Sequence, residues 1–505
     1  MASEEYDVVI IGSGVGGGAV AHQLAGSAAR VLVLERGTEL PHEPQNRDAE
    51  AVFCEHRYRT TETWTSGARR FRPGQFYFVG GHTSFYGAAM FRLRERDFEA
   101  TEHEDGLSPA WPIDYAALEP WYAVAERLFG VHGAAGLDPC EPWRSAPYPH
   151  GPVPHEPVIA EIEQRLRRRG LQPFPMPIAI DLHEGGRCER CSTCDAFPCL
   201  VDAKGDARTR LLAPALRQAN VTLRTQALVT RLVTDSSGRR IVAAEVVRHG
   251  ERQKVRGRHF VLAAGAINSA ALLLRSATGA FPQGLANRSG TVGRHFMNHN
   301  CTALMAIDPA RRNETRLPKT LALNDWYFGD AARGEPPLGH LQLLGKVGEP
   351  MLRGAMPRWV PRAAREWLAA HSVDWYAMSE DLPHADSRVG LNSDGSIDLQ
   401  WRRTNQRTHR RLVAKACGLM RRIGYPLVFG KPFGLESPSH QCGTVRFGND
   451  PAQSALDPWC RAWDHDNLHV VDASFFPSSG AVNPALTVAA QALRVGHHLR
   501  GEELQ

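Results

Sequence analysis

"YDVVIIGSGVGG", residues 6–17, is the stretch on which the fold turns. A largely apolar, β-rich run from Tyr6 to Ile11 stops at a cluster of glycines. The small-residue segment "GAVAHQLAGSAA" (18–29) then has helical character, and "RVLVLERG" (30–37) is a second apolar run. Strand, helix and strand in that order make a βαβ unit. Gly12, Gly14 and Gly17 have the G-x-G-x-x-G spacing, and Glu35 closes the second strand 23 residues after Gly12. A Cβ at these glycines would block the tight turn and keep backbone N–H groups from approaching a pyrophosphate at the helix N-terminus. Glu35 can then accept hydrogen bonds from the ribose hydroxyls of an adenosine. A dinucleotide-binding domain is therefore expected at the front of the chain.

The length, 505 residues, exceeds what one core supports and suits two or three interleaved domains. Hydrophobic residues make up 43% and charged residues 22%, and the net charge of +5 is small for this length, so nothing points to nucleic acid. The opening "MASEEYDVVIIGSG" carries acids where a signal peptide needs positive charge. The longest apolar stretch, "FVLAAGAINSAALLL" (260–274), is shorter than the ~20 residues of a membrane span and contains Asn268 and Ser269. A cytoplasmic protein with reduced cysteines and no membrane partner is expected.

Further along, "FVGGHTSFYGAAMFR" (78–92) places Gly80, Gly81 and Gly87 in a loop suited to close contact with a ligand. His82 in that loop reads as an ordinary polar contact. Tyr115, Leu118, Tyr122 and Leu128 have the spacing of a packed amphipathic helix. Seven prolines between 139 and 157 predict an extended connection over the surface, and a helix follows up to Gly170. The runs around the turn "SSGR" (236–239) read as strands, and 259–276 as strand, turn and helix. From about 300 to 439 the pattern changes to strands such as "TLALNDWYF", "HLQLLGK" and "VDWYAMSE", with helices around 357–370 and 406–422. A mostly antiparallel sheet inserted into the nucleotide-binding domain is expected. Val470 to Asp472 close a late strand, and Pro484 to His498 reads as a helix.

Taken together, "DVVIIGSGVGGG", "VLVLERG", "VGGHTSFYGAAMFR", "AWPIDYAALEPWY", "FVLAAGAINSAALLL", "TVGRHFMNH", "HQCGTVRFG" and "VVDASFFPSSGAVNPALT" resemble the glucose–methanol–choline oxidoreductase family, in that family's order. The resemblance implies an α/β Rossmann-like FAD-binding domain built from 1–150, 195–300 and 440–505. The substrate-binding domain and its connections would come from 151–194 and 301–439. Gly12, Gly14, Gly17 and Glu35 carry over to the ADP half of FAD. Val229 matches the position whose backbone meets adenine, and Asp472 the acid near the pyrophosphate and ribityl chain. The loop with Gly80, Gly81, Thr83, Tyr86 and Gly87 would cover the flavin, and Asn483 and Pro484 would border it. Phe85 stands where some members carry a covalently linked histidine, so unlinked FAD is implied. The family's catalytic pair falls on His440 and Asn483: an imidazole with an unperturbed pKa near ~6.5 takes the hydroxyl proton, and the amide holds the substrate oxygen.

The His–Asn pair and the loop sequence are most similar to pyranose oxidases and bacterial C-glycoside oxidases. The implied reaction oxidises a secondary ring CH–OH of a sugar, glycoside or cyclitol, with oxygen or a quinone-type acceptor, in a possible homo-oligomer. Oxidation of a hydrophobic primary alcohol or sterol, and a flavin-binding electron-transfer subunit, are the competing readings. Trp326, Tyr327, His340, Gln342 and Trp375 are candidate sugar contacts, although packing is preferred at each, and Asn324 and Asp325 add polar candidates. Cys188, Cys191, Cys194 and Cys199 resemble a ferredoxin run with its last gap one residue too long. Metal, disulfide and packed thiols stay open, packed thiols preferred, and no metal ligand is assigned.

Overall fold

The computed structural model describes residues 5–330, 334–437 and 440–504. Residues 1–4, part of the stretch read for a leader, lie outside them. Strand Glu5–Ile11, helix Val15–Leu24 and strand Val31–Leu34 form the expected βαβ unit. It sits inside a seven-stranded sheet. Parallel strands Val221–Arg224, Val31–Leu34, Glu5–Ile11 and Glu251–Leu262 are neighbours, Leu468–Val470 adds a further parallel partner, and the hairpin Ala227–Thr234/Ile241–Arg248 extends the edge antiparallel. Val8 to Ile11 and Val31 to Leu34 are all buried, because both faces of a parallel sheet are covered, and this gives their unbroken apolar runs. Helix Ala485–His498 packs on both Val15–Leu24 and Tyr115–Phe129. At Gly17 a Cβ would lie 2.0 Å from the Gly12 oxygen, so glycine is required there for helix–strand packing.

The second sheet has six strands, in the order Leu427–Pro432, Asn300–Ile307, Ser372–Ser379, His340–Leu343, Leu321–Leu323 and Phe174–Pro175, all antiparallel. The α/β architecture with an antiparallel second sheet is thus the one predicted. One face buries Leu304, Leu341, Leu343 and Trp375 against Ile159, Ile162 and Leu412 from two helices. Trp326 joins that core, so both tryptophans proposed as sugar contacts are packing residues. The opposite face turns Ala303, Met305, Gln342, Asp374 and Tyr376 toward a cavity. A hairpin, Arg388–Leu391/Ile397–Gln400, pairs with Trp64–Ser66/Arg69–Phe71 and places Val389, Ile397 and Leu399 in the first core.

Three local expectations change. The helix expected around 357–370 starts only at Arg362 and runs to His371, with Pro361 at its N-cap, and a separate helix, Glu349–Ala355, precedes it; Pro357 and Pro361 cannot supply the backbone donors that would join the two. The run "TLALNDWYF" is strand only over Leu321–Leu323; Tyr327 N then donates to Asn324 O at 2.9 Å in a turn. The proline-rich connection is pinned rather than free: Tyr115 Oη donates to Trp143 O at 2.7 Å, and Ser145 N to Glu119 at 2.8 Å. Among the described residues no helix is long and apolar enough to cross a membrane.

Candidate active site

A cavity of about 1260 Å³ is walled by residues from both sheets, and Gly12, Gly14, Glu35 and Val229 line one part of it. Gly12 has φ +103°, and a Cβ there would meet Ala263 O at 2.3 Å. Gly14 is the N-cap of helix Val15–Leu24; no side chain caps it, and no atom lies within 4 Å of where its Cβ would be. The first turn of that helix is thus uncapped by any side chain and, through Gly14, Val15 and Gly16, borders the cavity, which is an anion-binding arrangement. Glu35 directly follows the second strand, accepting from Ser13 N at 3.1 Å, Ser13 Oγ at 2.5 Å and Gly37 N at 2.8 Å. Burial raises its carboxyl pKa while these bonds oppose the rise.

The loop after Val79 shares the wall through Gly81, Thr83, Phe85, Tyr86 and Gly87. Gly80 and Gly17 lie behind it: Gly80 N donates to Ser13 Oγ at 3.2 Å, tying the loop to the glycine turn. Thr83 Oγ1 bonds Gly80 O at 2.7 Å, and Tyr86 Oη donates to Gly205 O. Phe85 is buried and stacks on Phe76 at 4.1 Å. His82 Nε2 meets Gln75 Oε1 at 2.9 Å, and Gln75 in turn donates to Gln441 Oε1 at 2.9 Å. Burial pushes the His82 pKa down to about 4, so it is a neutral brace between the loop and the segment carrying His440. Asp472 accepts from Gly265 N at 3.0 Å, Ser269 Oγ and Ser474 N at 2.9 Å, joining the last strand to the start of helix Ala266–Arg275.

His440, Asn483 and Pro484 also line the cavity. His440 Nδ1 is 2.9 Å from His299 Nδ1, and His299 Nε2 is 3.0 Å from Ser479 O. The Ser479 carbonyl can only accept, so His299 carries its proton on Nε2 and leaves Nδ1 as a lone pair. His440 must then donate from Nδ1. Its Nε2 is left as a bare base, 3.3 Å from Asn483 Nδ2, which donates to it. Burial, together with His299, Lys319 and His340 nearby, drives the His440 pKa well below 6.5. The imidazole is therefore held neutral instead of poised near 6.5. Asn483 Oδ1 is buried without a partner.

His299 lay unassigned in "TVGRHFMNH"; a histidine between two asparagines was its only local signal. The cysteine segment supplies a second residue that sequence reasoning missed. Asp195 accepts from Lys319 Nζ at 2.5 Å and from Gly345 N at 2.6 Å, bridging to the second sheet. Lys204 is buried and bonds Cys194 O at 2.9 Å and Phe197 O at 2.7 Å, which fixes the segment as cavity wall. Cys188, Cys191, Cys194 and Cys199 are thiols outside any disulfide, and among the described residues no group of three or more His, Cys, Asp or Glu is arranged to hold a metal.

Two family models, both described as GMC oxidoreductase, match residues 63–301 and 383–492. The chain belongs to this family. Relatives in the family include the 6'''-hydroxyparomomycin C oxidase of Streptomyces lividus, 33% identical over 98% of this chain and 91% of that one. The paromamine 6'-oxidase of Streptomyces fradiae is 33% identical over 98% and 92%, and the C-glycoside 3-oxidase of Microbacterium trichothecenolyticum 26% over 99% and 97%. A solved pyridoxine 4-oxidase from Mesorbium loti has the same fold, with a TM-score of 0.67 at 19% identity, covering 97% of this chain and 98% of that one. Family membership makes this an oxidoreductase acting on CH–OH groups.

Proposed function

We propose that this enzyme uses FAD to oxidise a CH–OH carbon of a sugar or glycoside to a carbonyl. The reading rests on one observation: the neutral Nε2 of His440, aimed by His299, borders the same cavity as the uncapped glycine helix. The first sheet domain would hold the cofactor and the second would face the substrate. Gly12, Gly14 and the helix N–H groups would take the pyrophosphate, Glu35 the ribose, and the Gly81–Gly87 loop the flavin side. Bound there, FAD supplies the acceptor for hydride. Phe85 has no nucleophile to form a covalent link.

The chain's own chemistry then follows. A substrate hydroxyl entering between His440 and Asn483 accepts from Asn483 Nδ2 and donates to His440 Nε2, replacing the bond between them. As the proton moves to Nε2, the imidazolium keeps its Nδ1–H bond to His299. Relatives named for oxidation at position 6' and at position 3 support a glycoside; only the second name, a ring position, supports the secondary ring carbon proposed, and the first favours the exocyclic carbon as the alternative.

Anaerobic mixing of the purified yellow protein with a panel of glycosides, amino sugars and cyclitols tests this. At least one should bleach the flavin and yield a carbonyl product, and readmitted air or quinone should restore the colour. A flavin reducible by dithionite but by none of these compounds would sink the proposal. Glu35→Gln should weaken FAD binding by about tenfold or more, since an amide donor then faces Ser13 or Gly37 donors. Unchanged retention on gel filtration would count against the assigned role.

A further inference from the structure

We propose that Glu380 is a positioning residue of the oxidation site, acting on His440 through one peptide group and His299; this rests on the function proposed above. The charge created when His440 takes a proton is then shared by two imidazoles. Glu380 follows strand Ser372–Ser379, is 8% exposed and does not line the large cavity, so it reaches the reaction only through its neighbours. The Ser479–Gly480 peptide makes that link. Its carbonyl accepts from His299 Nε2 at 3.0 Å, and its N–H, on Gly480, donates to Glu380 Oε1 at 3.3 Å. One chain of hydrogen bonds therefore runs from the carboxylate through the peptide and His299 to His440 Nδ1. Bonds in such a chain polarise one another, so an anion on the N–H side makes the carbonyl a stronger acceptor for the His299 proton.

The carboxylate is kept charged. Ser108 Oγ donates to Oε1 at 2.7 Å, and His103 Nε2 lies 3.0 Å from Oε2. Asn405 Nδ2, fixed as a donor by its bond to Glu380 O at 3.1 Å, is 3.3 Å from His103 Nδ1, which must then accept. His103 thus carries its proton on Nε2, the nitrogen facing the carboxylate. Burial would raise the Glu380 pKa, but His103, Ser108 and His299 together hold it below its ordinary value. Asp97, Tyr327 and Cys442 also lie close enough to feel this charge. Tyr327 Oη donates to Asp97 at 3.0 Å and accepts from Ala481 N at 3.0 Å. Tyr327, a candidate sugar contact, is therefore a brace for the loop that runs from Ser479 to Asn483.

A ring held neutral by burial is a weak base, and His299, Lys319 and His340 beside it disfavour the His440 cation as well. Burial lowers the His299 pKa too, but there the Ser479 carbonyl and Glu380 oppose it. As the substrate O–H breaks and the His440 Nε2–H forms, the His440 Nδ1 proton can pass along the 2.9 Å bond to the lone pair on His299 Nδ1. His440 then ends neutral with its proton on Nε2, and His299 carries the positive charge beside the peptide that Glu380 holds. No other group gains or loses a proton.

The test uses the full-length holoenzyme and whichever glycoside of the panel bleaches its flavin. Glu380→Gln keeps the shape of the side chain and removes its charge. Flavin reduction should slow at least about tenfold, with substrate Kd changed by no more than about twofold. The acid limb of kcat/KM should move lower by about half a pH unit or more, because loss of the anion disfavours the histidine cation. Asp97 is present in both enzymes, so the difference between their limbs reports Glu380. Glu380→Asp, which restores the charge, should return the limb to its wild-type position. A loop merely loosened by the substitution would weaken substrate binding and leave the limb in place; that result, or an unchanged rate, would overturn the proposal. Should Glu380→Gln fail to retain FAD, wild-type flavin reduction in H₂O–D₂O mixtures decides. A bowed dependence on deuterium fraction, the mark of two protons moving together, is expected, and a linear dependence or none would overturn the sharing. Bleaching by none of the compounds would overturn the oxidation reading, and the role of Glu380 with it.

Discussion

Replacing His440 by alanine lowers the rate of flavin reduction by at least about 100-fold while FAD stays bound, the usual scale of losing a general base. The proposed base is Nε2, and its availability is set by the relay through His299 to Ser479 O. Burial keeps the ring neutral, so its pKa lies well below 6.5. The sign follows: protonation removes the base, and it does so only at pH below the ordinary imidazole range. The plot of kcat/KM against pH for the wild type should stay flat down through about 6.5 and fall only at lower pH. Near-normal reduction in His440→Ala would remove the catalytic assignment. An acid limb centred at or above about 6.5 would contradict the neutral base.

The second large effect is on stability. Arg92 Nε and Nη2 donate to the Glu126 carboxylate at 2.9 and 2.8 Å, and Nη1 donates to Glu119 at 2.9 Å and Tyr115 Oη at 2.8 Å. Arg92, Glu119 and Glu126 are each no more than 3% exposed. Arg92→Met removes the shared cation and leaves two carboxylates buried, with only Arg144 on Glu126 and Ser145 on Glu119. Breaking such a network costs about 3–5 kcal/mol. The loss should appear as a thermal unfolding midpoint several degrees lower, together with easier proteolysis in the proline-rich connection that Arg144 and Ser145 anchor. A midpoint within about 1 °C of the wild type would show that the network contributes little.

Legibility in the sequence follows the range of the interaction. The turn at Gly12–Gly17, the parallel strands and the hairpin around 236–239 are fixed by residues a few positions apart. Their spacing and apolar periodicity were therefore readable. The break between Glu349–Ala355 and Arg362–His371 is also local, set by the two prolines between them. The cysteine segment was readable as a cluster but not as cavity wall, because its contacts are made by Asp195 and Lys204 to distant partners.

His440 and Asn483 were named by motif, but their chemistry was not. A motif carries no dielectric environment, and the neutral state of His440 comes from burial among groups far away in sequence. His299 lies 141 positions from His440, and Asp195 lies 124 from Lys319. Gln342 and Asp374 face one cavity only because two antiparallel strands set their register. The sequence by itself determined the βαβ unit, the antiparallel second sheet and the imidazole proposed as base, since these depend on local spacing and on side-chain type. Tertiary structure alone decided which nitrogen of that imidazole is free and how far it is removed from solvent, because hydrogen-bond direction and desolvation exist only once distant segments meet.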